Sequence, residues 1–189
     1  MKTTLKQFAA FLAAFALVAI AVTADRATTD STTTHVNVKS QKSFDQITTA
    51  VEKQLGKYDG AAVAQAFAAK TAPAEIEAKI HSMEGSSGFM LFTTRDHGQL
   101  LPLKGKQGFA RQYEIGNPLY AVQMTSEDIR AAEYAPLRVL IYVGDDNLTH
   151  IDYDLPSTVF GRLHNAAVDK VAHGLDDKLA ALVANALNN

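Results

Sequence analysis

Three observations in the sequence predict an α+β fold in a single domain of ordinary size. An apolar, β-branched run at 137–143 and an alternating run at 148–154 flank a turn of Gly, Asp and Asn, which is typical of a β-hairpin. Apolar residues recur at helical spacing from Val168 to Ala186, and they predict a long amphipathic C-terminal helix that docks on the sheet as a structural element. Other strands and helices are mixed along the chain, which favours α+β architecture over a doubly wound parallel sheet.

The composition excludes several classes of function. The chain has no cysteine, which rules out disulfide scaffolds, Cys-ligated zinc or iron–sulfur centres, thiol nucleophiles and bacterial lipoprotein anchors. Its formal net charge of −2 gives no basic surface of the kind that binds nucleic acid. The hydrophobic fraction of 47% is that of a globular protein and argues against both disorder and a polytopic membrane protein.

The N-terminal residues have the three parts of a secretory signal peptide. Lys2 and Lys6 give a positive start without acids, and residues 8–22 form a run of 15 without a polar side chain. Val22 and Ala24 then provide small residues before a cleavage position. An uncleaved membrane anchor is the alternative, but a spanning helix needs about 20 apolar residues. We therefore expect a signal peptide over 1–24, a periplasmic or secreted protein, and no stable membrane anchor after cleavage.

The region after the signal peptide predicts a tether, a strand and a helix. Residues 25–34 are polar and rich in Thr, which indicates a flexible tether. Residues 35–39 alternate between polar and apolar side chains, as a strand does. Ser43 and Gln46 have the spacing of a capping box, and the apolar stripe that follows predicts a helix that ends near Gly56.

The middle of the chain predicts further helices and then strands. Residues 58–84 have an Ala-rich part and then helical spacing, which predicts a small helical insertion at the edge of the domain. A Gly-Ser-Ser-Gly break at 85–88 precedes the apolar run 89–92, which predicts a strand buried on both faces. Another strand is predicted at 109–115, and Ser126, followed by two acids, predicts the start of a short helix.

Several short motifs follow one another in a specific order. They are Asp96-His97, Gly116-Asn117-Pro118, Ala135-Pro136-Leu137-Arg138-Val139-Leu140, Gly144-Asp145-Asp146 and Ile151-Asp152-Tyr153-Asp154-Leu155-Pro156. In this order and spacing the chain resembles the DUF302 family of uncharacterised bacterial domains. The resemblance defines a domain over residues 35–187, which departs from shorter family members at 58–84. It implies a compact α+β domain with a largely antiparallel sheet, commonly a homodimer, and it implies no established reaction.

Asp96 and His97 are the most suggestive pair of polar side chains. A carboxylate beside an imidazole can orient it, tune its pKa or share a metal ion with it. Adjacent residues of a strand point to opposite faces, so a direct contact between these two side chains requires a turn. Gly98 permits such a turn. The alternative is structural: Asp96 caps the following segment, and His97 hydrogen-bonds backbone to close the strand.

Asn117 also has two interpretations. Gly116 and Pro118 place it in a rigid turn, because glycine permits a positive φ and proline fixes the next one. Such a turn can hold the amide towards a ligand, or it can simply connect two elements. Asp96, His97 and Asn117 are therefore the candidate ligand-binding residues.

His150, Asp152 and Asp154 are weak candidates for a metal site. Alternation places them on one face of one strand, and a histidine with two carboxylates suits Mn, Zn or Ca. Residues i and i+2 of a strand are about 6.6 Å apart, however, so three of them rarely converge on one ion. A solvated polar face over a buried one explains the alternation without a metal, and we assign no metal site.

Two hypotheses about function, from different classes, are compatible with these residues. The first is a non-enzymatic exported module that binds a small molecule or a partner, as a homodimer. The second is a metal-assisted or His/Asp-dependent hydrolase-like enzyme, with Asp96, His97 and Asn117 brought together at one end of the sheet. We favour the first because the sequence has no GxSxG elbow, HExxH motif or phosphate loop. We assign no catalytic residue and no cofactor.

Overall fold

The structure, a computed structural model, describes residues 26–188. The predicted signal peptide over 1–24 lies outside the described residues. Residues 26–34 contain no helix or strand. Across residues 26–188, no helix combines the length and the apolar character that crossing a membrane requires.

Six strands form one sheet in the order β1-β6-β5-β4-β3-β2. Every neighbouring pair is antiparallel except β2 and β3, so the largely antiparallel α+β fold is confirmed. The strands are β1 (His35–Ser40), β2 (Gly56–Lys57), β3 (Met90–Asp96), β4 (Ala110–Gly116), β5 (Leu137–Val143) and β6 (Thr149–Asp154). The predicted hairpin is the β5–β6 pair.

The helices begin where the sequence offers caps or prolines. They are α1 (Phe44–Glu52), α2 (Gly60–Ala68), α3 (Pro73–His81), α4 (Pro118–Thr125), α5 (Pro156–Phe160) and α6 (Ala166–Asn188), with 3-10 helices at Gly98–Lys104, Ile129–Tyr134 and Gly161–Leu163. Ser43 and Gln46 form the predicted capping box of α1. The helix ends at Glu52, earlier than predicted, because Gly56 already belongs to β2 and donates its N–H to the carbonyl oxygen of Phe89.

The main core lies between one face of the sheet and the helices α1 and α6. The stripe of α6 is buried as its spacing predicts, and it packs against apolar side chains of α1 and of the four strands β1, β4, β5 and β6. The buried residues of the stripe are Val168, Ala172, Leu175, Leu179, Leu182, Val183 and Ala186. The long C-terminal amphipathic helix is therefore confirmed.

A second, smaller core lies at the β2–β3 edge of the sheet. Val63 of α2 and Ile76 and Ile80 of α3 pack against Met90. Phe89 belongs to the main core, so these two consecutive residues are buried on opposite sides. The predicted burial on both faces therefore holds at Phe89 and Met90. Leu91 is partly buried against the main core, whereas Phe92 is 36% exposed, so the prediction is wrong for Phe92.

The segment after β4 is a helix, where a connecting turn was expected. Asn117 is the N-cap of α4, and its Oδ1 accepts a hydrogen bond of 2.9 Å from the backbone N–H of Leu119. Pro118 occupies the first helical position, where a missing N–H costs nothing. Ser126, predicted to begin a helix, instead ends this one, and Asp128 caps the 3-10 helix that follows.

Candidate functional site

An apolar pocket lies between one end of the sheet and the helices α4, α5 and α6, and we call it the α4 pocket. Its volume is about 240 Å³. Asn117 and Tyr120 supply the polar side-chain groups of its wall, and the other side chains are apolar. The lining residues are Phe89, Phe92, Gly116, Asn117, Pro118, Tyr120, Ala121, Met124, Ala135, Pro136, Leu137, Phe160 and Leu175.

Buried side chains fix the shape of the α4 pocket. Phe160, Met124 and Leu175 belong to the main core, whereas the lining residues Phe92 and Pro136 are exposed. Phe160 also meets the ring of Tyr134 edge-on, with centroids 5.8 Å apart. The pocket therefore opens to the surface above a floor of packed core residues.

Asn117 is the buried polar side chain of the wall, with only 5% of its surface exposed. Besides capping α4, it donates from Nδ2 to Glu84 Oε1 at 2.7 Å and to the carbonyl oxygen of Gly88 at 3.1 Å. Glu84 Oε1 also lies 2.8 Å from Nδ1 of His81. Both N–H groups of the amide are thus used, which fixes its orientation and ties α4 to the loop before β3.

Asp96 and His97 lie far from Asn117, so the expected common site does not form. The antiparallel register pairs Met90 with Gly116 and Asp96 with Arg111. Asn117 therefore adjoins the first residue of β3, whereas Asp96 is the last, and six steps along a strand span about 20 Å. The enzyme hypothesis required these strand ends to meet, whereas in an antiparallel pair consecutive strand ends lie at opposite edges of the sheet.

The contacts of Asp96 and His97 are those of the structural alternative. Asp96 Oδ1 accepts a hydrogen bond of 3.1 Å from the backbone N–H of Gln99 and so caps the 3-10 helix. His97 donates its backbone N–H to the carbonyl oxygen of Ala110 at 2.8 Å, and its side chain is exposed. It is the backbone of His97, and not its ring, that closes the strand.

The face that carries His150, Asp152 and Asp154 is less solvated than predicted. His150 is only 6% exposed, because the ring of Tyr142 stacks on it with centroids 4.8 Å apart. Its Nε2 lies 2.8 Å from Asp146 Oδ1, and its Nδ1 lies 3.0 Å from Asn37 Nδ2. Within residues 26–188, no three His, Asp or Glu side chains are grouped so as to hold a metal ion. The buried histidine is held by hydrogen bonds to its neighbours.

Comparison with known proteins places this arrangement in one family. Residues 65–186 match the family described as "Domain of unknown function DUF302". The chain belongs to the DUF302 family. The crystal structure of an uncharacterized conserved DUF302 protein from Bacillus stearothermophilus has a similar fold, with a TM-score of 0.58 at 16% identity over 80% of this chain and 97% of that chain. No curated protein matches this chain.

The DUF302 match contains the whole wall of the α4 pocket. It begins within α2 and ends in α6, whereas β1, α1 and β2 precede it. Of the motifs that carried the resemblance, Gly116-Asn117-Pro118 and Ala135-Pro136-Leu137 contribute to the wall. Sequence reasoning missed Tyr120, Phe160 and Leu175, because apolar and aromatic residues at helical spacing carry the same signal whether they fill a core or line a cavity.

The edge strand β1, outside the DUF302 match, is joined to β6 by a histidine between two carboxylates. His35 Nδ1 lies 2.9 Å from Asp154 Oδ1, and its Nε2 lies 3.1 Å from Asp152 Oδ2. The hydrogen bond to Asp154 raises the pKa of His35 above its usual value of 6.5, and the hydrogen bond to Asp152 adds a smaller contribution. On the same face, the hydrogen bond with His150 holds the pKa of Asp146 well below its usual range, and the hydrogen bond from Lys39 adds a smaller contribution.

We expect the raised pKa of His35 to make the stability of this edge depend on pH. Because the folded pKa is above the unfolded one, the stabilisation is fully present below about pH 6.5 and is lost as the pH rises through the folded pKa. His35→Gln should therefore be less stable than the wild type near pH 6, and the difference should shrink towards about pH 8. Urea unfolding at several pH values measures it. His97→Gln, at an exposed ring, is the matched control substitution. A His35→Gln difference that stays constant with pH would contradict the assignment.

Proposed function

We propose that this DUF302 protein is a non-enzymatic binding module whose α4 pocket holds a small apolar molecule. The observation that supports this proposal is a pocket of about 240 Å³ with apolar walls inside the folded domain. Small ligands bind in concave, mostly apolar sites of this kind. Ligand pockets combine such walls with a few oriented polar groups, and Asn117 and Tyr120 have that position here.

Binding is a better proposal than catalysis because of where the polar residues lie. The enzyme hypothesis required Asp96, His97 and Asn117 at one place, and the sheet separates the first two from the third. The amide of Asn117 is engaged with Glu84 and Gly88, which suits a wall residue of fixed orientation. No nucleophile with an adjacent general base is found among the lining residues of the α4 pocket.

We also propose that the protein is exported after removal of residues 1–24 and that it functions as a homodimer. Export is supported by the positive start, the apolar run and the small residues before Asp25. The homodimer is supported by the family resemblance. Both proposals are independent of the occupant of the α4 pocket.

Native mass spectrometry of the protein purified from its own host tests these proposals together. We expect a dimer of subunits that begin near Asp25, with additional mass from a small organic ligand that is lost on denaturation. A subunit that retains Met1 would contradict export, and a monomer would contradict the dimer. A ligand-free protein that also fails to bind a small neutral amphiphile such as 1-octanol would contradict the binding function.

A pocket-filling variant assigns the ligand to the α4 pocket. Ala121 lines the pocket, and a phenylalanine there would occupy the cavity. Ala121→Phe should lose the copurified ligand and 1-octanol binding while keeping its circular dichroism spectrum. The matched control is Val122→Phe on the same helix, at a side chain that is exposed and outside the wall. Ligand retained in full by Ala121→Phe would place it elsewhere.

A further inference from the structure

We propose that the ligand is an aliphatic monocarboxylate, whose chain lies in the α4 pocket and whose carboxylate is bound by Lys178 and Tyr120. This inference rests on the proposed binding function and adds the chemical class of the ligand. Its basis is a lysine and a tyrosine side by side at one side of an apolar pocket, where the lysine has no ion pair among residues 26–188.

The α4 pocket borders a second cavity that has a basic lining. This second cavity, of about 350 Å³, lies between α4 and α6. It shares Tyr120 and Leu175 with the α4 pocket and adds Lys170 and Lys178. An extended ligand that fills the apolar pocket would therefore have its end at the border of this lysine-lined cavity.

Lys178 and Tyr120 converge on the same small space above Gly88. A β-carbon built on Gly88 would lie 3.2 Å from both Lys178 Nζ and Tyr120 Oη. A side chain at Gly88 would therefore crowd both groups, and its φ of +77° is one that other residues adopt with strain. The ammonium also lies 5.4 Å from the centroid of the Tyr120 ring, so the two groups are held together by a cation–π contact.

The two lysines of the second cavity form no ion pair in the part of the chain that the structure describes. Within residues 26–188, neither Lys170 nor Lys178 has a carboxylate oxygen within 4.0 Å. Glu84 is near Gly88 in the fold, but its Oε1 bonds to Asn117 and His81, and it forms no ion pair with either lysine. A ligand anion would supply the missing partner, and a ligand cation would be repelled.

The donors and the volume together favour a carboxylate on a chain of limited length. An ammonium N–H and a phenol O–H can each donate to one oxygen of a carboxylate, and charge-assisted bonds of this type are the stronger ones. The α4 pocket, with a volume of about 240 Å³, suits a single short alkyl chain. Octanoate has this size, whereas a two-chain phospholipid is much larger.

Calorimetric titration with octanoate and with 1-octanol, which share one chain length, tests the inference. We expect octanoate to bind at least about tenfold more tightly than 1-octanol. Lys178→Met should weaken octanoate about tenfold and leave 1-octanol within about twofold. Tyr120→Phe should weaken octanoate in the same direction. Lys53→Met, at an exposed lysine that lines neither of these cavities, is the matched control and should change neither affinity.

The outcomes separate this inference from the binding function itself. Equal affinities for octanoate and 1-octanol, with no effect of Lys178→Met, would overturn the carboxylate assignment and leave the apolar binding function supported. Absence of binding by both probes, together with a ligand-free protein from the host, would overturn both. Lys178→Gln provides a second variant, and a loss of octanoate binding in both variants with unchanged 1-octanol binding supports the assignment.

Discussion

Leu179→Ala is expected to lower the free energy of unfolding by about 2–5 kcal/mol. Leu179 lies in the middle of α6, is 1% exposed, and packs in the main core. Removing three carbon atoms there loses their burial and leaves a cavity that close-packed neighbours cannot fully close. Since domains of this size have a net stability of about 5–15 kcal/mol, the change would remove a large part of it.

Urea unfolding of the two proteins measures this difference. The matched control is Leu103→Ala, which makes the same chemical change at a side chain that is 79% exposed. We expect the control to stay within about 0.5 kcal/mol of the wild type. A Leu179→Ala protein as stable as the control would mean that α6 is not docked on the core.

Gly56→Ala is expected to lower the free energy of unfolding by about 3 kcal/mol, at the upper end of what overpacking costs. A β-carbon on Gly56 would lie 1.8 Å from the carbonyl oxygen of Met83 and 2.5 Å from the backbone nitrogen of Gly85. Both contacts are with backbone, so no rotation of a side chain relieves them. The backbone N–H groups of Gly56 and Gly85 both donate to the carbonyl oxygen of Phe89, and displacing either segment weakens these bonds.

The control for this change is a glycine that has room for a methyl group. A β-carbon on Gly174, in α6, meets nothing within 4 Å. Gly174→Ala should therefore stabilise the protein, by about 0.5–1 kcal/mol, through the better helix propensity of alanine. Thermal melts of both variants measure the contrast. Equal melting temperatures for Gly56→Ala and the wild type would contradict the close approach of the two backbone segments.

Local signals explain why part of the candidate site was predictable. A Gly-Asn-Pro sequence fixes backbone geometry over three residues, so Asn117 could be selected as a side chain of fixed orientation, and it does line the α4 pocket. Asp96 and His97 were selected by their chemistry, but their distance from Asn117 depends on the strand register. The alternation around His150 correctly separated two faces of β6, while the burial of His150 depends on Tyr142 and Asn37 from neighbouring strands.

The sequence by itself determined the features that depend on neighbouring residues along the chain: the α+β class, the capping box of α1, the β5–β6 hairpin, the stripe of α6 and the family. The tertiary structure alone decided which distant segments meet. The pairing of His35 with Asp154, the approach of Gly56 to Gly85, and the pocket wall from Phe89 to Leu175 join residues many positions apart. Such contacts arise from the packing of whole elements, and a local pattern of side chains is compatible with several packings.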